Sequence, residues 1–217
     1  MEPKLPPEYK FSPHADIDER SKKVIASTYP PDMGDPQVLF TSLEGVAQYL
    51  LSRIVGLDVN DAQERNTPRR FLEALKEMTT SQTFEFTTFE SHVDEMVVET
   101  GIQFATLCRH HVLPFTGICH VAYVPNGRIA GLSKIPRLVG VASAKLNTQE
   151  ELTSVIADTM LHELNPQGVG VVMEAQHTCM AIRGARSIGV TTRTAAMRGV
   201  FADHTKTAKA EFLGAIR

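Results

Sequence analysis

Apolar residues first fall into a regular pattern at TSLEGVAQYLLSRIVG, where Leu43, Val46, Ala47, Leu50 and Ile54 recur at the spacing of one helical stripe. Thr41 and Glu44 stand at capping-box spacing and Gly56 follows the stripe, so a helix is predicted between these signals. Thr67-Pro68, an N-cap followed by proline at the first helical position, opens a second helix whose apolar residues are Phe71, Leu72, Leu75 and Met78. The period then changes. EMVVETGIQFATL and GICHVAYVP are rich in β-branched and aromatic residues and bounded by turn signals, which predicts two strands. Asn126-Gly127 supplies a tight turn into RIAGL. Helical spacing returns in KIPRLVGVASAKL and TQEELTSVIADTMLHEL. In the latter, Thr148 and Glu151 repeat the capping-box spacing and Asn165-Pro166 stops the run. Strands are predicted again in VGVVMEAQ, in TCMAI and around VTTRTA.

Two strands, two helices and two strands make an α+β layer, an antiparallel sheet with both helices on one face, a ββααββ unit. Its strands carry little charge to blunt their edges, so pairing with another subunit is expected. Residues 1–36 hold seven of the twelve prolines among charged and polar residues, which predicts a mobile tail. A helical segment over 37–90 and an α+β domain over 91–217 follow.

Composition narrows the function classes. Twenty-two basic against 25 acidic side chains give a net charge of −3, so no global field favours nucleic acid or an anionic membrane, and any anion site must be built locally. Three widely spaced cysteines are no disulfide framework and fit a reducing compartment, with the cytoplasm as the expected location. The start, MEPKLPPEYKF, has no signal-peptide core, and no run approaches the roughly 18 apolar residues of a membrane span, so a soluble protein is expected.

The candidate chemistry centres on CRHH at 108–111 and EAQHTCMAIRG. Cys108 and His111 have C-x₂-H spacing at a strand end, which lets a thiolate and an imidazole converge on one tetrahedral ion. His177 and Cys179 are two apart and share one face if the segment is extended. A Cys108, His111, Cys179 set leaves the open fourth position that a catalytic zinc needs. His110 and His177 then remain beside the ligands, as imidazoles suited to proton transfer. Cys119 lies in an apolar strand and is expected in the core; His120, facing the other way, is expected to be packed or hydrogen-bonded. Ser133, Lys134 and Arg137 open a predicted helix, either as a solvated basic face or as a phosphate site, and Arg183 adds a cation four residues after Cys179. Gln149 and Glu150 read either as a favourable helix start or as partners for a donor-rich ligand such as guanine.

CRHHVLPFTG, GLSKIPRLV, TQEELT and EAQHTCMAIRG, with TPRRF upstream and VFADHTKTAKAEFL downstream, together resemble GTP cyclohydrolase I over roughly residues 40–217. The resemblance implies zinc ligands at Cys108, His111 and Cys179 and catalytic histidines at His110 and His177, with Ser133 near the latter. It further implies triphosphate contacts at Ser133, Lys134, Arg137 and Arg183, and a guanine-binding pair at Gln149 and Glu150. Arg70 in TPRRF matches an arginine that reaches the phosphates from a neighbouring subunit. The implied fold is the tunnelling fold, closed into a barrel between subunits of a homodecamer with sites at the junctions. The implied reaction turns GTP and water into 7,8-dihydroneopterin triphosphate and formate, the first step of pterin and folate, or deazaguanine, biosynthesis. One departure stands out: Arg109 occupies a position where the family commonly has Glu. Two rival readings are a nitrile reductase of the same fold and a non-catalytic zinc-stabilised nucleotide-binding module, which would have no use for His110 and His177.

Overall fold

The computed structural model describes residues 42–216, so the predicted tail at 1–36 and the predicted cap at Thr41 lie outside the described residues. Two compact units divide between Glu77 and Met78. The first carries α1 (Leu43–Val55) and most of α2 (Thr67–Thr79). The N-cap of α1 is Ser42, one residue after the expected threonine: its hydroxyl accepts from the Gly45 amide at 3.1 Å. At the other end Gly56, at φ 75°, donates its N–H back to the Leu51 carbonyl, a left-handed turn that glycine makes without steric cost.

In the second unit the elements are β1 (Thr88–Glu90), β2 (Val97–Cys108), β3 (Pro114–Val124), β4 (Arg128–Ala130), α3 (Lys134–Ser143), β5 (Leu146–Asn147), α4 (Gln149–Leu164), β6 (Gly168–His177), α5 (Thr178–Ala181), β7 (Thr192–Gly199) and α6 (Ala208–Ala215). Among the described residues the main sheet runs β5-β2-β3-β6-β7, antiparallel except where β5 meets β2. The ββααββ order is therefore present. RIAGL, after the Asn126-Gly127 turn, does not fold back on β3; β4 pairs with β1 in a separate ribbon.

Both predicted helices lie on one face of the sheet. Leu152, Ile156, Ala157, Met160 and Leu164 of α4 and Ile135, Leu138 and Val139 of α3 are buried against Cys119, Val121, Val171 and Met173. Each large side chain removed from water this way contributes about 1.5–3 kcal/mol. The opposite face is covered at one end by Phe201 and by Phe212 of α6, packed with Ala122 and Val172. The rings come so close to Gly170 that a Cβ there would lie 2.8 Å from Phe212 and 2.9 Å from Phe201, which only glycine avoids.

Register decides which loops meet. Leu107 pairs with Pro114, Phe115 with His177, and Cys108 with Asn147, so the end of β2, the start of β3, the end of β6 and the N-terminus of α4 gather at one end of the sheet. CRHH, His177 and Gln149-Glu150 all sit there.

Candidate active site

Cys108 is the last residue of β2 and only 6% exposed. The chain then turns sharply: the amides of His111 and Val112 both donate to the Cys108 carbonyl, at 3.4 and 2.8 Å, and the Cys108 amide donates to the Leu113 carbonyl at 2.8 Å. Closing this turn places Val112, a β-branched residue, at φ 55°, where such side chains are strained. The turn brings His111 Nδ1 to 3.9 Å from Cys108 Sγ.

The third member arrives by a route the sequence did not predict. TCMAI is not a strand: β6 stops at His177, and Thr178–Ala181 form one helical turn closed by the Ile182 amide on the Thr178 carbonyl at 3.0 Å. The Thr178 hydroxyl donates to the Pro114 carbonyl at 2.6 Å and pins that turn to the start of β3. Cys179 therefore joins the group from a helical turn. The ligand atoms of Cys108, His111 and Cys179 all lie within 4.8 Å of one another. Burial, reinforced by the neighbouring Cys108, raises the pKa of the Cys179 thiol, while Arg183 opposes the shift. Two sulfurs and an imidazole at this spacing are a donor set suited to a soft divalent ion.

His110 and Arg109 are exposed in the same turn. The Arg109 guanidinium donates to Glu151 Oε1 at 2.7 Å, with both side chains 49% exposed. At that exposure the pair contributes at most about 1 kcal/mol, yet it shows where the unexpected positive charge goes: to the first turn of α4. Glu151 thus completes only half of the predicted capping box. Its amide donates to the Thr148 hydroxyl at 3.2 Å while its carboxylate serves Arg109.

His177 is stacked on Phe115, ring centroids 4.3 Å apart and 12° from parallel, and its Nε2 is 2.8 Å from Gln149 Oε1. Burial lowers its pKa, against the attraction of the Glu150 carboxylate, so the neutral ring is favoured. Glu150 is exposed, whereas Gln149 is only 1% exposed and its amide is engaged within the protein. Ser133 stands before α3 in helical conformation; its hydroxyl makes no cap hydrogen bond, and it is exposed with Arg137, Lys134 being half-buried. Arg183 is exposed after Cys179, and Arg70 is exposed on α2 in the first unit. Cys119 is wholly buried, its thiol pushed up to about 12 by burial, and His120 Nδ1 accepts from the Gly101 amide at 3.4 Å.

Sequence reasoning missed Phe115, Thr153 and Thr194, which shape the surroundings of His177. Thr153 had a signal, since it follows Gln149 by one helical turn; Thr194 had none, because only the β6–β7 register brings it there.

The family model described as GTP cyclohydrolase I matches residues 44–217. "GTP cyclohydrolase 1" of Hydrogenobaculum sp. is 42% identical over 177 residues, 81% of this chain and 96% of that protein. The protein of the same name from Campylobacter curvus is 40% identical over 166 residues, covering 74% and 87% respectively. That from Synechococcus sp. is 40% identical over 192 residues, covering 86% and 81%.

Proposed function

This chain belongs to the GTP cyclohydrolase I family, and on that footing we propose that it converts GTP and water to 7,8-dihydroneopterin triphosphate and formate. The observation that carries the reading is the convergence of Cys108, His111 and Cys179 next to two further histidines. Cys108, His111 and Cys179 would hold a zinc ion, which when bound supplies Lewis-acid polarisation and acidifies water towards neutrality. His110 delivers a proton to N7 of the guanine, which draws electrons from C8 and prepares that carbon for attack by water. The Glu150 carboxylate accepts from N1–H and the 2-amino group of the base. Ser133, Lys134, Arg137 and Arg183 take the triphosphate, with Arg70 reaching it from a neighbouring subunit, and so align the base. His177, with Ser133, moves protons during the later opening and rearrangement of the ribose.

Wild-type protein given GTP is expected to release formate and a fluorescent pterin, to stop when a chelator strips the metal, and to resume when zinc is returned. Absence of formate from metal-loaded protein would sink the reading.

The tunnelling-fold barrel belongs to the same proposal. Uncovered sheet edges favour closure between copies, with the decamer as the expected assembly and sites at subunit junctions. Among the described residues no helix is long and apolar enough to cross a membrane, and a cytoplasmic location is proposed. Light scattering is expected to give a mass many times that of one chain; an active monomer contradicts the junction sites.

A further inference from the structure

The family resemblance implies a guanine contact for Gln149, whereas its surroundings point to a second task. Its side-chain nitrogen lies 3.2 Å from the Met173 carbonyl, 3.0 Å from the Thr192 carbonyl and 3.1 Å from Thr194 Oγ1. Two of these partners are backbone carbonyls, which only accept. The NH₂ end of the amide must therefore face them, and the oxygen must face His177. The hydroxyls agree with this direction. Thr153 Oγ1 donates to the Gln149 carbonyl at 2.6 Å, which leaves the Thr194 hydroxyl to donate to Thr153 across 2.7 Å and its lone pair free for the Gln149 amide. With Gln149 Oε1 able only to accept, the 2.8 Å contact is a hydrogen bond only if His177 Nε2 carries a hydrogen and donates it; otherwise two acceptors would face each other.

We propose that Gln149 is a positioning residue that holds His177 in the Nε2–H tautomer, leaving Nδ1 as the nitrogen through which His177 exchanges protons. Phe115, stacked flat on the ring, resists the rotation that would swing Nε2 away from Gln149 Oε1. The inference deepens the reading of His177 as a proton-transfer group and rests on it for its kinetic consequence; the tautomer itself does not.

Two measurements on metal-loaded, assembled protein test it. Gln149→Leu removes the acceptor and is expected to lower kcat by about 10–100-fold, the scale for losing a partner that orients an active-site imidazole, with KM for GTP changed less than about threefold and zinc content unchanged. A large rise in KM at preserved kcat would return Gln149 to the guanine edge and overturn the proposal. Should that variant fold poorly, Thr194→Val removes one acceptor of the amide and is expected to lower kcat several-fold, again without a KM effect; a rise in KM alone overturns it equally. Histidine-labelled protein, with His177→Ala to assign the resonance, is expected to show the Nε2–H pattern for His177 by NMR. An Nδ1–H pattern overturns the proposal whether or not GTP proves to be the substrate, so its failure and that of the reaction assignment are separable.

Discussion

Cys108→Ser and Cys179→Ser are each expected to lose bound zinc and formate release together, from one ion per chain to near none. A serine hydroxyl is a far poorer donor than a thiolate, and a site of three protein ligands cannot spare one. The two variants differ in a useful way. Cys108 packs within the core, so its replacement also places a hydroxyl among apolar neighbours and is expected to lower the melting temperature. Cys179 is half-buried on its short helical turn, and its replacement reports on the metal with little effect on the fold. Cys119→Ser is the control: it is wholly buried and outside the ligand group, so stability should fall while metal stays. Elemental analysis beside a thermal melt decides the matter, and full zinc in both ligand variants would remove these residues from the metal.

His110→Ala and His111→Ala are expected to fail differently although the residues are adjacent. Their rings are 6.3 Å apart and 80° from coplanar, so they serve different directions, and His111 is the one 3.9 Å from the Cys108 sulfur. His111→Ala should lose the metal. His110→Ala should keep zinc, assembly and most GTP affinity while ring opening slows about 10²–10⁴-fold, the range for a general acid. Near-normal formate release from zinc-loaded His110→Ala would leave His177 as the acid. A fall in zinc content in step with the rate would make His110 a support for the metal turn.

Much of this site was legible as residue types at short spacing. C-x₂-H at the end of an apolar β-branched run announces a turn in which two ligands meet, and the helix that bears Gln149 and Glu150 announces its own start and stop through Thr148 and Asn165. Cys179, the third member of the group that could hold a metal, was expected as a residue but not as a shape. TCMAI reads as strand by composition, and becomes a helical turn because Thr178 is tied to Pro114, sixty-four residues earlier in the chain. No local pattern carries that bond. The burial of Gln149 is likewise invisible locally: it sits at a helix start, and its amide is enclosed because β6 and the start of β7 supply the Met173 and Thr192 carbonyls.

By itself, then, the sequence determined most of the local elements, TCMAI excepted, and the candidate donors, because capping, turn chemistry and hydrophobic period are properties of a few neighbouring residues. The tertiary structure alone decided which of those residues face one another. The pairing of Cys108 with Asn147 and of Phe115 with His177 brings four chain segments to one end of the sheet, and the Arg109–Glu151 ion pair and the Gln149–His177 hydrogen bond exist only across that junction. The physical reason is that strand register is set by the burial of a whole sheet face at once, so a contact between residues 28 positions apart, such as that of Gln149 with His177, depends on every apolar residue that fixes the register between them.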